Sequence, residues 1–197
     1  MKTSVISKDF QQRFLSEPGN EGVFEAKAVV FEGPEDYHDR INDKSLGIDD
    51  HTILFIRGVG CVGYPGSAEV VNMQPPDEII KQGINHLPTV GDGRQSGTSE
   101  SPSILNASPE SVVGGGLAYL QTGDKVRLDL NNSTLNALVS DEEWQARIKA
   151  WKKPELIHMT PWEEIYRTHV GQLADGGCLE LAVKYQKTGR NIPRDNH

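Results

Sequence analysis

The chain has 197 residues and a mass of 21.7 kDa, a length that suits a single domain with a tail. With 36% hydrophobic and 24% charged residues it has the composition of an ordinary globular protein, which excludes collagen-like, coiled-coil and wholly disordered chains. A net charge of −8 disfavours binding to the phosphate backbone of nucleic acids, so no nucleic-acid partner is expected.

The sequence also lacks the pattern of a membrane or exported protein. Apolar runs such as residues 53–56 are far shorter than the roughly 20 residues of a membrane helix, and the first residues have no apolar export signal. We therefore expect a cytoplasmic protein without a membrane partner. Its two cysteines, Cys61 and Cys178, are then expected to be free thiols. Two thiols are too few for an iron–sulfur cluster, so any cluster must come from elsewhere.

The first half of the chain predicts short strands that end in glycine-rich loops. Residues 1–25 are polar and predict an irregular lead-in. A strand is predicted over residues 28–31, a helix from Pro34 to about Asn42, and a second strand over residues 52–57. The second strand leads into a glycine-rich segment, residues 58–66, that could approach a ligand closely.

The same order is repeated in the next part of the chain. A helix is predicted to begin near Pro75 and to end near Gly83, followed by a short strand over residues 87–90. This strand leads into a second glycine-rich loop, residues 91–99, which contains Asp92, Arg94, Ser96 and Thr98. Two such loops at strand ends suggest a site.

The second half predicts a hairpin and two capped helices. Residues 126–130 alternate apolar and polar side chains, and residues 134–139 return as the hairpin partner. Ser140 and Thr160 are each followed three residues later by a glutamate, the pattern of a capping box that begins a helix. The interpretation is an α+β fold, mainly a β barrel flanked by short helices, over residues 26–183, with a polar tail over residues 184–197.

The sequence does not match the standard signatures of nucleotide-binding, hydrolase or metal sites. Residues 91–97 have the glycine spacing of a phosphate-binding loop, but Thr98 stands where the lysine is needed. Ser96 lacks the flanking glycines of a hydrolase elbow, and the six histidines form no metal-ligand pair at i,i+4 spacing.

Two interpretations of the glycine loops remain open. A small acidic or hydroxylated ligand could contact Arg94 and the loop amides, while Glu69 could hold a divalent cation through its oxygens. Alternatively, the glycines serve only as tight turns of a barrel.

Several segments of the sequence resemble those of a known protein family. Residues 63–76, 91–99 and 103–110 are similar to the C-terminal domain of the dihydroxy-acid and sugar-acid dehydratases, closest to the D-xylonate group. Residues 29–38 and 193–197 fit as well, so the resemblance covers nearly the whole chain. It implies a β barrel similar to the swivelling domain of aconitase-like enzymes.

The resemblance implies a hydro-lyase that removes water from a 2,3-dihydroxy sugar acid and forms a 2-keto-3-deoxy acid. Family members have a larger N-terminal domain that carries an iron–sulfur cluster and most ligands of a magnesium ion. That domain is the implied partner, and the complete enzyme is expected to be a homo-oligomer. The chain alone is expected to be inactive.

The resemblance also implies roles for individual residues. Ser96 matches the catalytic base that removes the proton from C2, and Thr98 matches a residue that contacts the substrate carboxylate. Gly97 and Arg94 are expected to line the substrate, and Glu69 matches the magnesium ligand from this domain. Two positions depart from the family pattern: Glu100 stands in place of a glycine, and Cys61 in place of a proline.

Two other functions remain open. The chain could be a stand-alone module that binds sugar acids without chemistry, or a small subunit that acts in trans with a cluster-bearing partner. Which sugar acid is used is not determined by the sequence.

Overall fold

The structure of the protein, a computed structural model, describes residues 8–96 and 102–185. They form a mixed six-stranded sheet with short helices around it, which confirms the α+β class. The strands are β1 (Val23–Phe31), β2 (Thr52–Ile56), β3 (Thr89–Gly91), β4 (Ser103–Ile104), β5 (Lys125–Asp129) and β6 (Thr134–Ala137). The helices are α1 (Lys8–Phe14), α2 (Pro34–Arg40), α3 (Asp77–Lys81), α4 (Asp141–Ala150), α5 (Pro161–His169) and α6 (Glu180–Val183).

The sheet has a parallel half and an antiparallel half. Its strand order is β4-β3-β2-β1-β5-β6; the first four are parallel, β5 is antiparallel to β1, and β6 is antiparallel to β5. All five residues of β2 are buried, as expected for an apolar strand in the middle of a parallel sheet. The predicted hairpin is confirmed as β5–β6, whereas β1 to β4 are joined by crossover connections.

The sheet curls but does not close within the described residues. Its ladder ends at β4 on one side and β6 on the other. Both edge strands nevertheless line one cavity of about 480 Å³, through Ile104 on β4 and through Leu135 and Ala137 on β6. The two edges therefore curve toward each other around an apolar interior.

Both predicted helix starts are confirmed through their N-caps, although the glutamate carboxylates accept from Arg147 and from the Met159 amide rather than from the cap amides. The Ser140 hydroxyl accepts a hydrogen bond from the Glu143 amide at the start of α4, and the Thr160 hydroxyl accepts one from the Glu163 amide at the start of α5, each at 3.2 Å. Among the described residues, no helix is long and apolar enough to cross a membrane.

The irregular lead-in expected before residue 26 is wrong where the structure describes it. Residues 8–14 form α1, and β1 begins at Val23 rather than near Ala26. Phe10 and Phe14 lie one helical turn apart and are buried, and Phe14 packs on Phe24 with 4.8 Å between ring centroids. Two aromatic residues on one face are enough to dock a short helix, although its other residues are mostly polar.

The division into residues 26–183 and a tail at 184–197 stays a prediction. Of the tail, only Lys184 and Tyr185 lie within the described residues.

Candidate functional site

Three loops meet at one edge of the sheet because they follow three neighbouring parallel strands. The first glycine-rich loop begins after β2, the second after β3, and a third, residues 105–110, after β4. The carboxyl ends of parallel strands lie on the same edge, and in open sheets this edge is the usual place for a ligand. The order of elements therefore brings together the loops that the sequence singled out.

Asp92 fastens these loops to one another. Its side chain is fully buried directly after β3. The carboxylate accepts hydrogen bonds from the amides of Gly58 and Val59 at 3.2 and 3.0 Å, and from the amide and hydroxyl of Ser111 at 2.9 and 2.6 Å. Four donors from two other loops satisfy the buried charge, so the segments after β2, β3 and β4 are held in one arrangement.

Glu110 holds the next part of the first glycine-rich loop. It is only 3% exposed and accepts hydrogen bonds from the amides of Val62 and Gly63, both at 2.9 Å, and from the side-chain amide of Gln172. A side chain at Gly60 would place its Cβ 2.5 Å from Glu110 Oε2. The absence of a side chain at Gly60 therefore allows the loop to lie directly on the carboxylate.

Arg167 on α5 supports the same loop from the outside. Its guanidinium donates to the carbonyls of Val62 and Gly63 at 2.9 and 3.1 Å. The loop is thus held by Glu110 through its amides and by Arg167 through its carbonyls.

Glu69 and Arg94, two of the residues expected at the site, are in contact. The Arg94 amide donates to the carbonyl of Ala68 at 2.8 Å, and the amide of Val71 donates to the Arg94 carbonyl at 3.0 Å, so the two backbones run side by side. Arg94 Nη1 lies 3.2 Å from Glu69 Oε1, and both side chains are 50% exposed. Arg94 Nε also donates to the Ser67 carbonyl at 2.8 Å, which orients the guanidinium.

Ser96 follows Arg94 by two residues in the chain. It is partly buried, and its Cα is within about 7 Å of that of Arg94, the reach of two peptide units. Gly97, Thr98 and Glu100 lie outside the described residues. The structure therefore brings Glu69 and Arg94 together, with Ser96 two residues beyond Arg94 in the chain.

The Glu69 carboxylate and the Ser67 hydroxyl provide oxygen atoms, the type of ligand that a hard cation such as Mg²⁺ prefers. Ser67 precedes Glu69 by two residues and is 3% exposed, and its hydroxyl oxygen is buried without a hydrogen-bond partner among the described residues. No cluster of three His, Cys, Asp or Glu that could hold a metal occurs in the described part of the chain. Glu69 could therefore serve as one oxygen ligand of a magnesium ion among others supplied from elsewhere.

Cys61 lies in the first glycine-rich loop and is buried near Tyr166 of α5. Loss of hydration raises the pKa of its thiol above the ordinary value. Both cysteines are free thiols, and Cys178 is exposed.

The sequence patterns assign no role to Asp92 or Glu110, although these carboxylates position the loops. An acidic residue that directly follows an apolar strand and is flanked by glycines, as Asp92 is, could have signalled a buried acceptor for loop amides. Glu110 offers no such signal, because its partners lie 47 to 62 residues away in the chain.

Comparisons with known proteins identify the family of the chain. The family model described as dihydroxy-acid/6-phosphogluconate dehydratase C-terminal matches residues 1–178. The chain is 59% identical over its full length to the D-xylonate dehydratase of Caulobacter vibrioides, and covers 33% of that protein. It is 35% identical to the L-arabinonate dehydratase of Rhizobium leguminosarum over 89% of the chain and 30% of that protein.

The relation extends to a protein named dihydroxy-acid dehydratase. The chain is 29% identical to the dihydroxy-acid dehydratase of a Hydrogenobaculum strain over 91% of the chain and 30% of that protein. The chain thus spans about a third of the length of the curated relatives it matches. It belongs to the dihydroxy-acid/6-phosphogluconate dehydratase family and corresponds to the C-terminal domain of that family.

Proposed function

We propose that this chain is the C-terminal catalytic part of a sugar-acid dehydratase of the D-xylonate type. The observation that carries the proposal is 59% identity, over every residue of the chain, to a protein named D-xylonate dehydratase. The contact between Glu69 and Arg94 at the carboxyl edge of the sheet supports it. There an oxygen ligand and a cationic group lie together, and each side chain is 50% exposed to solvent.

In this proposal, Ser96 is the catalytic base. It removes the proton from C2 of the sugar acid, the C3–O bond breaks, and the leaving hydroxide departs as water. The proton taken from C2 balances the one that the leaving hydroxide gains, and the resulting enol loses its hydroxyl proton at C2 and takes up one proton at C3 to become the 2-keto-3-deoxy acid. A free serine hydroxyl is a very weak acid, so Ser96 must be activated by its surroundings.

The substrate carboxylate is bound by the second glycine-rich loop. Thr98 and the amide of Gly97 donate hydrogen bonds to it, and the guanidinium of Arg94 supplies the positive charge. Arg94 is well suited because Ser67 and Glu69 already orient it while half of its side chain stays open to solvent.

Glu69 would contribute one carboxylate ligand to a magnesium ion, and the Ser67 hydroxyl, which has no hydrogen-bond partner among the described residues, is a further oxygen close to it in the chain. The ion and an iron–sulfur cluster supply Lewis-acid chemistry when bound, and the cluster is held by the iron–sulfur N-terminal domain of the complete protein. The Glu69–Arg94 contact would not prevent Glu69 from binding the ion, because a half-exposed ion pair is worth about 1 kcal/mol or less.

The chain works as part of a homo-oligomeric, cytoplasmic enzyme and is inactive without the cluster-bearing domain. We also propose that the curled sheet belongs to a barrel of the swivelling type. The cavity shared by β4 and β6 supports this, because the two edges already face one interior.

The test uses a full-length protein in which this chain replaces the matching third of the Caulobacter D-xylonate dehydratase. We expect it to convert D-xylonate to a 2-keto-3-deoxy acid, detected as a semicarbazone. Ser96→Ala should lower kcat at least about 10²-fold, the usual contribution of a positioned base, while Ser16→Ala, at an exposed position, should not.

Two results would contradict the proposal. Product formed at an undiminished rate by Ser96→Ala would remove Ser96 from the reaction. Saturable binding of D-xylonate to the 197-residue chain in calorimetry, together with an inactive full-length protein, would instead favour a binding module.

A further inference from the structure

The C-terminal part of the described chain is apolar on its outer side. Twelve large hydrophobic side chains are exposed among the described residues, and eight of them lie between residues 157 and 185. We call these eight the apolar layer: Ile157, Met159, Trp162, Ile165, Leu179, Leu181, Val183 and Tyr185. Such a concentration on one segment marks a surface that another body covers.

Helix α5 carries apolar side chains on both its inner and its outer side. Tyr166 and Val170 face inward and pack with Cys61, Val62 and Val112. Trp162, one turn before Tyr166, is 77% exposed, and Ile165 is 48% exposed. The apolar stripe of α5 is therefore wider than the part this domain covers, as in helices packed between two bodies.

The segment after α5 continues the layer. Val170 and Leu179 form an antiparallel bridge, and the amide of Gly171 donates to the carbonyl of Cys178 at 2.9 Å. These contacts hold the start of α6 beside the end of α5. Leu181 and Val183 of α6 are 43% and 51% exposed, and Tyr185 is 70% exposed. A specific interface buries about 800 Å² on each partner, an area on the order of what eight large side chains offer.

We infer that the apolar layer is the docking surface for the cluster-bearing domain that precedes this chain in the complete protein. This inference rests on the proposed function. The relatives are about three times as long as the chain, so a body large enough to cover the layer belongs to the same polypeptide in those proteins.

The position of the layer favours this occupant over a second copy of the chain. Arg167 and Tyr166, from the inner side of α5, contact the glycine-rich loop that borders the candidate site. A domain resting on α5 would reach toward the site, where Glu69 and Arg94 are still half open. One occupant thus accounts for both the uncovered layer and the incomplete site.

Hydroxyl-radical footprinting tests the inference without using activity. Oxidation of Met159 and Trp162 is compared between the 197-residue chain and the full-length protein in which the chain replaces the matching third of the Caulobacter enzyme. Both side chains are more than three quarters exposed in the chain, so burial under another domain should lower their oxidation several-fold. Leu138 and Ile148, exposed outside the layer, are controls whose oxidation should stay unchanged.

Substitutions add a second measurement. Ile165→Ser in the full-length protein should weaken docking and speed cleavage between the two parts by limited proteolysis about tenfold, the effect of about 1.4 kcal/mol. Leu138→Ser, at a residue of similar exposure (45% against 48%), is the matched control and should have no effect.

Three results would overturn the inference. The first is equal oxidation of Met159 and Trp162 in both proteins. The second is protection that appears in the chain alone and rises with its concentration as a dimer forms, which would assign the layer to a second copy. The third is equal cleavage of the two serine variants. Protection in a protein that lacks dehydratase activity would leave the docking surface intact and count only against the proposed function.

Discussion

Arg94 and Glu69 lie 25 residues apart in the chain, yet Nη1 of the arginine is 3.2 Å from Oε1 of the glutamate. The contact exists because the loops after β2 and β3 exchange backbone hydrogen bonds on either side of it. A cationic group and a carboxylate thus lie next to each other on a half-open edge of the sheet.

Glu69→Gln is expected to affect activity more than stability. If Glu69 is a magnesium ligand as proposed, loss of its carboxylate in the full-length protein should lower kcat about 10-fold to 100-fold and raise the magnesium concentration required. The free energy of unfolding should change by less than about 1 kcal/mol, as for other exposed ion pairs. Magnesium titration of the rate and urea denaturation measure the two effects.

The control for this variant is Glu142→Gln, which removes an exposed carboxylate on α4. A magnesium requirement that is unchanged in Glu69→Gln would remove Glu69 from the metal site.

Asp92→Asn is expected to destabilise the domain strongly. The NH₂ group would replace one of the two buried carboxylate oxygens, so in either orientation it would face at least one backbone amide that now donates to the carboxylate. We expect the free energy of unfolding to fall by about 2–4 kcal/mol, measured by urea denaturation.

The matched control is Asp50→Asn, at an exposed position, which should change the free energy by less than about 0.5 kcal/mol. A loss below about 1 kcal/mol in Asp92→Asn would show that the loops are held by other contacts.

Gly60→Ala tests the close approach of the first glycine-rich loop to Glu110. The new Cβ would lie 2.5 Å from the carboxylate oxygen, so either the loop or Glu110 must move. We expect a loss of about 1–3 kcal/mol in the free energy of unfolding, typical of overpacking.

Gly116→Ala is the comparison for this variant, since a Cβ at that glycine meets no atom within 4 Å. Equal stability of the two alanine variants would contradict the tight packing of Gly60 on Glu110.

The two cysteines are expected to differ in reactivity toward a disulfide reagent such as Ellman's. Cys178 is exposed, whereas Cys61 is buried and burial raises the pKa of its thiol, so less thiolate forms at a given pH. At pH 8 the folded chain should show one fast and one slow phase, at least about tenfold apart.

Cys178→Ser should remove the fast phase and Cys61→Ser the slow one, while unfolding in urea should make both thiols react at similar rates. A single fast phase for two thiols in the folded chain would show that the loop around Cys61 opens readily.

Local patterns predicted much of the secondary structure. Ser140 and Thr160 begin their helices as expected, since a cap depends on hydrogen bonds only three residues away. The apolar run of β2 and the hairpin of β5 and β6 were likewise readable from neighbouring residues. Helix α1 was missed because its local composition is polar and its stabilising contacts, such as that of Phe14 with Phe24 and that of Arg13 with the His86 carbonyl, join residues distant in the chain.

The sequence by itself determined the α+β class, the two glycine-rich loops and the resemblance to dehydratases, because each depends on residues close together in the chain. Only the tertiary structure decided that Asp92 and Glu110 hold these loops and that Glu69 meets Arg94. Those contacts join residues 25 to 48 positions apart, and the pairing of parallel strands is what brings them to one edge. The outward apolar face of α5 likewise became visible only when packing showed which side the domain leaves uncovered.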